Sequence, residues 1–182
     1  MNFDQRYSEV MNKVLFERQG SIILYPGGFK PPHKGHFEAL KYMIHKYDGQ
    51  MAIVFIGNKE RDGITPEQSQ KIWEVYGKYI GVPLEVHASP VSPVKSVYDY
   101  TDAYKNEFIV VGAGEDDLAR YNYFKKNKET YPNVVVCPIP PQFGRISGTD
   151  TREKLAAKAE DAYSFIPNEA ECDVDVIKAI LS

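Results

Sequence analysis

The chain has 182 residues, of which 43% are hydrophobic and 26% charged, a composition typical of a globular protein. Its formal net charge of −3 gives no overall field that would attract nucleic acid or a membrane surface. No apolar run approaches the length of a membrane span, and the two cysteines are too few and too far apart to suggest a disulfide framework or a zinc knuckle. We therefore expect one domain with short appendages in a cytoplasmic, reducing setting.

Both ends of the chain carry helical patterns. Apolar residues recur on one stripe of a predicted helix over residues 3–19. We assign residues 1–20 to this N-terminal helix, which would act as a lid, a packing arm or a contact between subunits of a homo-oligomer. Residues 162–181 are also helical in pattern, with a break at Pro167, and we assign residues 168–182 to a C-terminal helical tail.

Between these segments, over residues 21–167, apolar runs alternate with amphipathic stretches. The apolar runs predict strands at 21–25, 51–56, 84–88, 108–112 and 134–138. Helical patterns follow at 35–47, 65–79, 94–105 and 149–159. This alternation predicts an α/β, Rossmann-like fold, a parallel sheet of about five strands with flanking helices. Ligands of such sheets bind beyond the carboxyl ends of the strands, so the loops after the strands are the candidate site.

The loop after the first predicted strand has the most informative sequence, Tyr25-Pro-Gly-Gly-Phe-Lys-Pro-Pro-His-Lys-Gly-His36. Paired glycines allow a backbone to approach a phosphate, and the start of the following helix offers free N–H donors. His33 and His36 are three residues apart and so share one face of the first helical turn. The pair lacks zincin spacing and a third ligand nearby, so we predict a phosphate site and no metal bound by the protein.

A second element, Ile146-Ser-Gly-Thr-Asp-Thr-Arg152, begins the last predicted helix of the sheet region. The two elements together, in this order, resemble the signature of the HxGH nucleotidyltransferase superfamily. That resemblance implies transfer of a nucleotidyl group from a nucleoside triphosphate with release of pyrophosphate. Mg²⁺ would bridge the phosphates of the triphosphate.

The resemblance and the residue chemistry together assign roles to individual side chains. His33 and His36 would donate hydrogen bonds to the α- and β-phosphates, and Lys30 would add positive charge. Arg152 would fork onto the β- and γ-phosphates. The remaining nucleotide-binding candidates are Gly27, Gly28, Phe29, Gly35, Ser147 and Thr149, with Gly112 and Gly114 near the base or ribose. Lys59 and Arg61 would reach the phosphate of an acceptor.

The order of elements is most similar to the archaeal-type nicotinamide-nucleotide adenylyltransferases, over roughly residues 21–167. Matching features are Ile56-Gly57 at a strand end, a helix start at Thr65–Gln68, a proline-rich stretch from Pro138, and Phe165-Ile-Pro167. The resemblance implies ATP as donor, nicotinamide mononucleotide as acceptor and a place in NAD biosynthesis.

The region after the third strand departs from that branch. The family places an asparagine and a tryptophan there, where nicotinamide stacks, and this chain has Pro93-Val-Lys-Ser-Val-Tyr98 instead. Tyr98 is the candidate replacement for the stacking ring. Lys95 disfavours a cationic pyridinium nearby, because like charges repel.

Two alternatives follow from this departure. The chain would be a cytidylyltransferase, or an adenylyltransferase for another phosphorylated acceptor such as a sugar, polyol or pantetheine phosphate. It would otherwise be a nucleotide sensor without catalysis, against which the intact His33, His36 and Arg152 argue.

Overall fold

Five parallel strands form the central sheet of the computed structural model, which describes residues 20–140 and 146–182. The predicted helix over residues 3–19 lies outside the described residues. The strands lie in the order β3-β2-β1-β4-β5, and every neighbouring pair is parallel. Their bounds are β1 Ser21–Gly27, β2 Gly49–Ile56, β3 Leu84–Ala88, β4 Ile109–Gly114 and β5 Val134–Ile139. The predicted fold class, a Rossmann-like α/β sheet of five strands, is confirmed.

Helices connect the strands as the sequence pattern predicts. Their bounds are α1 Lys34–Lys46, α2 Pro66–Gly77, α3 Pro93–Ala103, α4 Asn122–Lys126, α5 Gly148–Ala156 and α6 Val174–Leu181. Two 3₁₀ helices, Glu115–Tyr121 and Asn168–Asp173, precede α4 and α6. The start of α2 follows its sequence signal closely, since Thr65 caps the helix, Pro66 opens it, and Gln68 bonds back to the Thr65 amide. No described helix is long and apolar enough to cross a membrane.

β1 and β4 each extend two residues further at their carboxyl ends than their apolar runs indicate. β1 includes Pro26 and Gly27, and β4 includes Ala113 and Gly114. The extra residues pair with neighbours, Gly27 with Ile56 and Ala113 with Pro138, so adjacent strands continue the ladder beyond the apolar stretch. Gly27 and Gly114, which were expected in loops, therefore lie at the ends of strands.

Apolar residues cover both faces of the sheet, which explains why its strands read as continuous apolar runs. Successive β1 residues alternate between the two cores, with Ile23 and Tyr25 in one and Leu24 in the other. Helices α1, α2 and α6 complete the first core. Gly112 is required there by close packing, because a methyl group at its α-carbon would lie 2.3 Å from the sulfur of Met43 in α1.

The C-terminal residues pack onto the domain instead of extending away from it. Ile177 of α6 is fully buried in the first core. Gln68 of α2 donates a 3.0 Å hydrogen bond to the carbonyl of Ile180, and the Tyr79 hydroxyl donates one of 2.9 Å to Asp173. The tail and the sheet region therefore form one packed unit.

Candidate active site

The loop after β1 brings backbone close to open space at the carboxyl edge of the sheet. The amide of Gly57, just beyond β2, donates a 2.9 Å hydrogen bond to the carbonyl of Gly27. A methyl group at the α-carbon of Gly28 would meet no atom within 4 Å, and Gly28 lines three neighbouring cavities. A side chain at this position would project into open space without disturbing the packing, as expected where a backbone approaches a ligand closely.

His33 and His36 form a reciprocal cap at the start of α1. The amide of His36 donates to Nδ1 of His33 at 3.4 Å, and the amide of His33 donates to Nδ1 of His36 at 3.2 Å. The two rings stack with centroids 3.5 Å apart. Because an N–H group donates to each Nδ1, each neutral ring carries its proton on Nε2. Two parallel imidazoles are thus held in one tautomer, with Nε2–H as the donor of each.

Both imidazoles are neutral at pH 7. Burial lowers the pKa of His33 to about 4. Burial also lowers the pKa of His36 well below its ordinary value, and the adjacent His33 lowers it further. The rings therefore act as neutral hydrogen-bond donors, and the positive charge of the site comes from other residues.

An aromatic cluster holds the ring of His36 from behind. The Phe29 ring meets it edge to face at 4.9 Å, and Trp73 and Tyr25 contact Phe29 at 5.3 Å and 5.0 Å. Phe29 is 4% exposed and has a left-handed backbone, with φ of 49°, which is costly for a bulky residue. This conformation turns the ring inward, so Phe29 packs against His36 while also lining the cavity in front of it.

Lys30 ties the loops after β1 and β2 together. Its Nζ donates to the carbonyls of Gly28 at 2.9 Å and Gly57 at 3.0 Å. Burial lowers the pKa of Lys30 to about 8, against a smaller opposite effect of Glu67. The amine is therefore mostly charged at pH 7, and its third N–H, which bonds to none of the described residues, can donate to an anion.

Arg152 joins α5 to the same loops. Its side chain is 9% exposed, and it donates to the Lys30 carbonyl at 2.9 Å and to the Thr149 hydroxyl at 3.2 Å. Nε also donates to the carboxylate of Asp62 at 2.5 Å, and the Asp62 side chain is 66% exposed. The guanidinium is thus fixed by main chain on one side and neutralised by an exposed acid on the other.

The start of α5 contributes backbone and hydroxyl groups. Ser147 caps the helix, with its Oγ accepting a 3.0 Å hydrogen bond from the amide of Asp150. Gly148 and Thr149 face the cavity that His36 and Arg152 also line. The helix start therefore adds N–H groups and the positive end of its dipole to the site.

Three adjoining cavities lie along the carboxyl edge, and all of them include Gly28. The first, of about 250 Å³, brings together seven predicted site residues, Gly28, Phe29, Lys30, His36, Arg61, Thr149 and Arg152. The second, of about 430 Å³, is lined by Lys30, Lys59 and Arg61 among others. The third, of about 200 Å³, lies between β1, β4 and the start of α3, where the strand order reverses.

The other predicted site residues lie at varying distances from this row. Gly27 and Gly112 line the third cavity, while Gly35 is buried in the first turn of α1. Gly114 ends β4 and is exposed. Tyr98 stacks on Phe124 at 4.7 Å and donates its hydroxyl to the carbonyl of Arg120 at 2.7 Å. Its half-buried ring thus packs against the residues around α4 and lines none of the three cavities.

Three charged residues of this region carry no motif and were not predicted. Asp62 pairs with Arg152 across 90 positions, a contact that leaves no local signal. Asp117 and Arg120 line the third cavity and form an ion pair of 3.0 Å. Their three-residue spacing after the fourth strand could have indicated this ion pair from the sequence, since two such residues share one side of a helical turn.

Comparison with known proteins establishes the fold. No protein-family model and no curated protein matches the chain. A Vibrio parahaemolyticus protein assigned as a nicotinate-nucleotide adenylyltransferase superposes with a TM-score of 0.64 at 15% identity, over 88% of this chain and 99% of that one. The nicotinic acid mononucleotide adenylyltransferase of Plasmodium falciparum, in complex with APC, superposes with a TM-score of 0.62 at 12% identity, over 90% and 98%. The expected fold is therefore that of two adenylyltransferase structures.

The depressed pKa of His33 predicts an acid-labile contribution to stability. The unfolded chain takes up the His33 proton below about pH 6.5 and the folded chain only near pH 4, so stability falls as pH falls through this window. In His33→Asn the side chain still caps α1 but cannot titrate. Between pH 7 and pH 4, we expect the free energy of unfolding, measured in urea, to fall by about 3 kcal/mol more in the parent than in the variant.

His45→Asn, which removes an exposed histidine of the same helix, serves as the control and should follow the parent curve. If the free energy of unfolding depended on pH in the same way in the parent and in His33→Asn, His33 would not be held neutral by the fold.

The Asp62–Arg152 ion pair predicts that removal of one charge tightens anion binding. In Asp62→Asn the side-chain oxygen still accepts from Nε, and asparagine tolerates the left-handed backbone of this residue, which has φ of 50°. The variant therefore loses the neutralising charge and keeps the position of Arg152. We expect tripolyphosphate to bind about 3- to 5-fold more tightly by calorimetry, the scale of one exposed ion pair.

Asp175→Asn removes the same charge from a 98% exposed side chain on α6 and should leave the affinity unchanged. Weaker binding by Asp62→Asn would mean that Asp62 favours the anion and does not compete with it.

Proposed function

We propose that this protein is an adenylyltransferase that transfers AMP from ATP to the phosphate of a pyridine mononucleotide, with release of pyrophosphate. The observation that carries the proposal is the reciprocal His33–His36 cap. It fixes a neutral Nε2–H donor, that of His36, in a cavity whose other polar groups include Lys30, Arg61 and Arg152. None of the described residues that line this cavity is acidic, so it suits a polyanion.

The row of cavities suggests an arrangement for the two substrates. The triphosphate fits the first cavity, where the start of α5 and Arg152 meet His36. The phosphate of the acceptor fits the second cavity, beside Lys59 and Arg61, the residues for which the sequence suggests this role. The base of the acceptor fits the third cavity, so the reacting phosphates meet near Gly28, which lines all three.

The reaction needs positioning and charge stabilisation more than proton transfer. An anionic oxygen of the acceptor phosphate forms the new bond to the α-phosphorus, and the bond between that phosphorus and the bridging oxygen breaks. The bonding electrons leave with pyrophosphate. Donors that strengthen as charge moves to the leaving group lower the barrier, a role for His36, Arg152 and the third N–H of Lys30.

Mg²⁺ enters this proposal as part of the substrate MgATP. Within residues 20–140 and 146–182, no group of three or more His, Cys, Asp or Glu residues is placed to hold a metal ion. Mg²⁺ commonly retains several waters and binds through substrate phosphates, and such a complex fits a cavity lined by donors and cations.

Two similarities bear on the acceptor, one to solved structures and one of sequence motifs. Both structural neighbours are named for nicotinate nucleotides, whereas the sequence resemblance favours the nicotinamide nucleotide and NAD as product. The two acceptors differ in a single group on the ring, a carboxylate or a carboxamide. We therefore propose the pyridine mononucleotides as the acceptor class.

A pyrophosphate-release assay tests the proposal directly. The protein is incubated with Mg²⁺ and each of the four nucleoside triphosphates, against both pyridine mononucleotides and sugar, polyol and pantetheine phosphates. We expect the fastest release with ATP and a pyridine mononucleotide. Faster release with CTP and a sugar or polyol phosphate would overturn the acceptor class, and triphosphate binding without any release would favour a nucleotide sensor.

The role of His36 predicts a loss of turnover that is separable from folding. Glutamine at this position can accept from the His33 amide, as Gln68 does for Thr65 at the start of α2 in the same chain. We expect the free energy of unfolding of His36→Gln to lie within about 0.5 kcal/mol of the parent value, since the cap is kept. Its kcat should fall about 100-fold, because the donor to the reacting phosphates is displaced, while KM for ATP changes little.

Gln68→Glu is the control at the equivalent capping position outside the site. It keeps the acceptor for the Thr65 amide, loses only the hydrogen bond to the Ile180 carbonyl, and should retain the parent kcat. A His36→Gln enzyme with unchanged kcat would remove His36 from the mechanism.

A further inference from the structure

The third cavity is built to accept a ring that carries a charged group. Pro93, Val94, Ala113 and Tyr121 provide an apolar wall, and the cavity has a volume of about 200 Å³. A dry cavity of about 150 Å³ is sufficient for benzene, so this one accommodates a six-membered ring with a small substituent. Asp117 and Arg120 are the charged side chains among the described residues that line it.

The ion pair between these residues is easily exchanged for a ligand. The Arg120 Nε lies 3.0 Å from a carboxylate oxygen of Asp117, and the two side chains are 62% and 52% exposed. An exposed pair of this kind contributes little to stability, because water solvates both partners. A carboxylate from a ligand can therefore take the place of Asp117 on the guanidinium at little cost.

The backbone beneath Arg120 is rigid although its side chain is exposed. The buried hydroxyphenyl ring of Tyr121 anchors the next position, stacked near Tyr98 with centroids 6.2 Å apart. The Tyr98 hydroxyl donates at 2.7 Å to the Arg120 carbonyl. The main chain at Arg120 is therefore held in place while its exposed side chain lines the third cavity. Tyr98 would thus act on the acceptor site through Arg120.

We propose that Arg120 determines acceptor specificity by binding the ring carboxylate of nicotinic acid mononucleotide, in preference to the carboxamide of nicotinamide mononucleotide. This inference rests on the proposed function. Both rings carry a positive pyridinium, for which Asp117 is a suitable neighbour, but only the acid adds a negative group. The planar fork of an arginine matches a carboxylate with two parallel hydrogen bonds, which a neutral carboxamide cannot accept.

The test compares kcat/KM for the two acceptors at saturating MgATP, in the parent and in Arg120→Gln. We expect the parent to prefer nicotinic acid mononucleotide. In the variant, kcat/KM for this acceptor should fall about 10- to 100-fold, as expected for loss of a charge-assisted hydrogen bond. For nicotinamide mononucleotide it should change less than about 3-fold, and Arg120→Lys should give an intermediate ratio because it retains charge without the fork.

Two further variants separate ligand binding from a structural effect. Lys178→Gln removes a cation from another exposed pair of three-residue spacing, Asp175–Lys178 on α6, and should leave both acceptors unchanged. Asp117→Asn breaks the same ion pair as Arg120→Gln but leaves the guanidinium, so it should maintain or raise the preference for the acid. An equal loss of preference in Asp117→Asn would show that the pair is structural and would overturn the inference.

The outcome also distinguishes this inference from the function on which it rests. If the parent transfers AMP to both acceptors and the ratio is the same in Arg120→Gln, the proposed function stands and Arg120 has no part in specificity. If the parent releases no pyrophosphate with either acceptor, the proposed function fails, and the inference fails with it.

Discussion

The reciprocal hydrogen bonds between His33 and His36 are the constraint on which the rest of the site depends. Each ring accepts from the backbone amide of the other residue, so the bonds that begin α1 also determine the tautomer of both imidazoles. Burial against Phe29 and the stacked partner then keeps the rings neutral. The same hydrogen bonds therefore cap the helix and orient the donors. A substitution that removes a donor also breaks the cap unless the new side chain can still accept from the same amide.

Positive charge in the site is held in place by main-chain carbonyls. Lys30 donates to carbonyls of two loops, and Arg152 donates to the carbonyl of Lys30 itself. These bonds orient the cations without neutralising them, because a carbonyl is a dipole and not a charge. The acid that does reach Arg152, Asp62, is largely exposed and so remains replaceable. A site organised in this way has lower free energy when an anion is present.

The sequence predicted what local chemistry determines. Strands buried on both faces read as apolar runs, and the caps of α2 and α5 have the residues that free N–H groups require. The Asp62–Arg152 pair could not be predicted, because it joins residues 90 positions apart through geometry that only the folded sheet creates. Tyr98 was predicted to stack on a ligand, and its half-buried ring stacks instead on Phe124 and Tyr121, aromatic partners that the local sequence pattern did not reveal.

The charge of the lining residues differs between the two ends of the row of cavities. Described residues that line the first cavity include cations and no acid, whereas the third cavity has one residue of each sign, Asp117 and Arg120. A polyphosphate is favoured at the first end by simple attraction. At the other end its charge would meet Asp117 as well as Arg120, so the attraction is partly cancelled. A ring that carries one positive and one negative group would find an opposite charge for each in the third cavity. A polyphosphate and such a ring would therefore bind in one order along the sheet edge and not in the reverse.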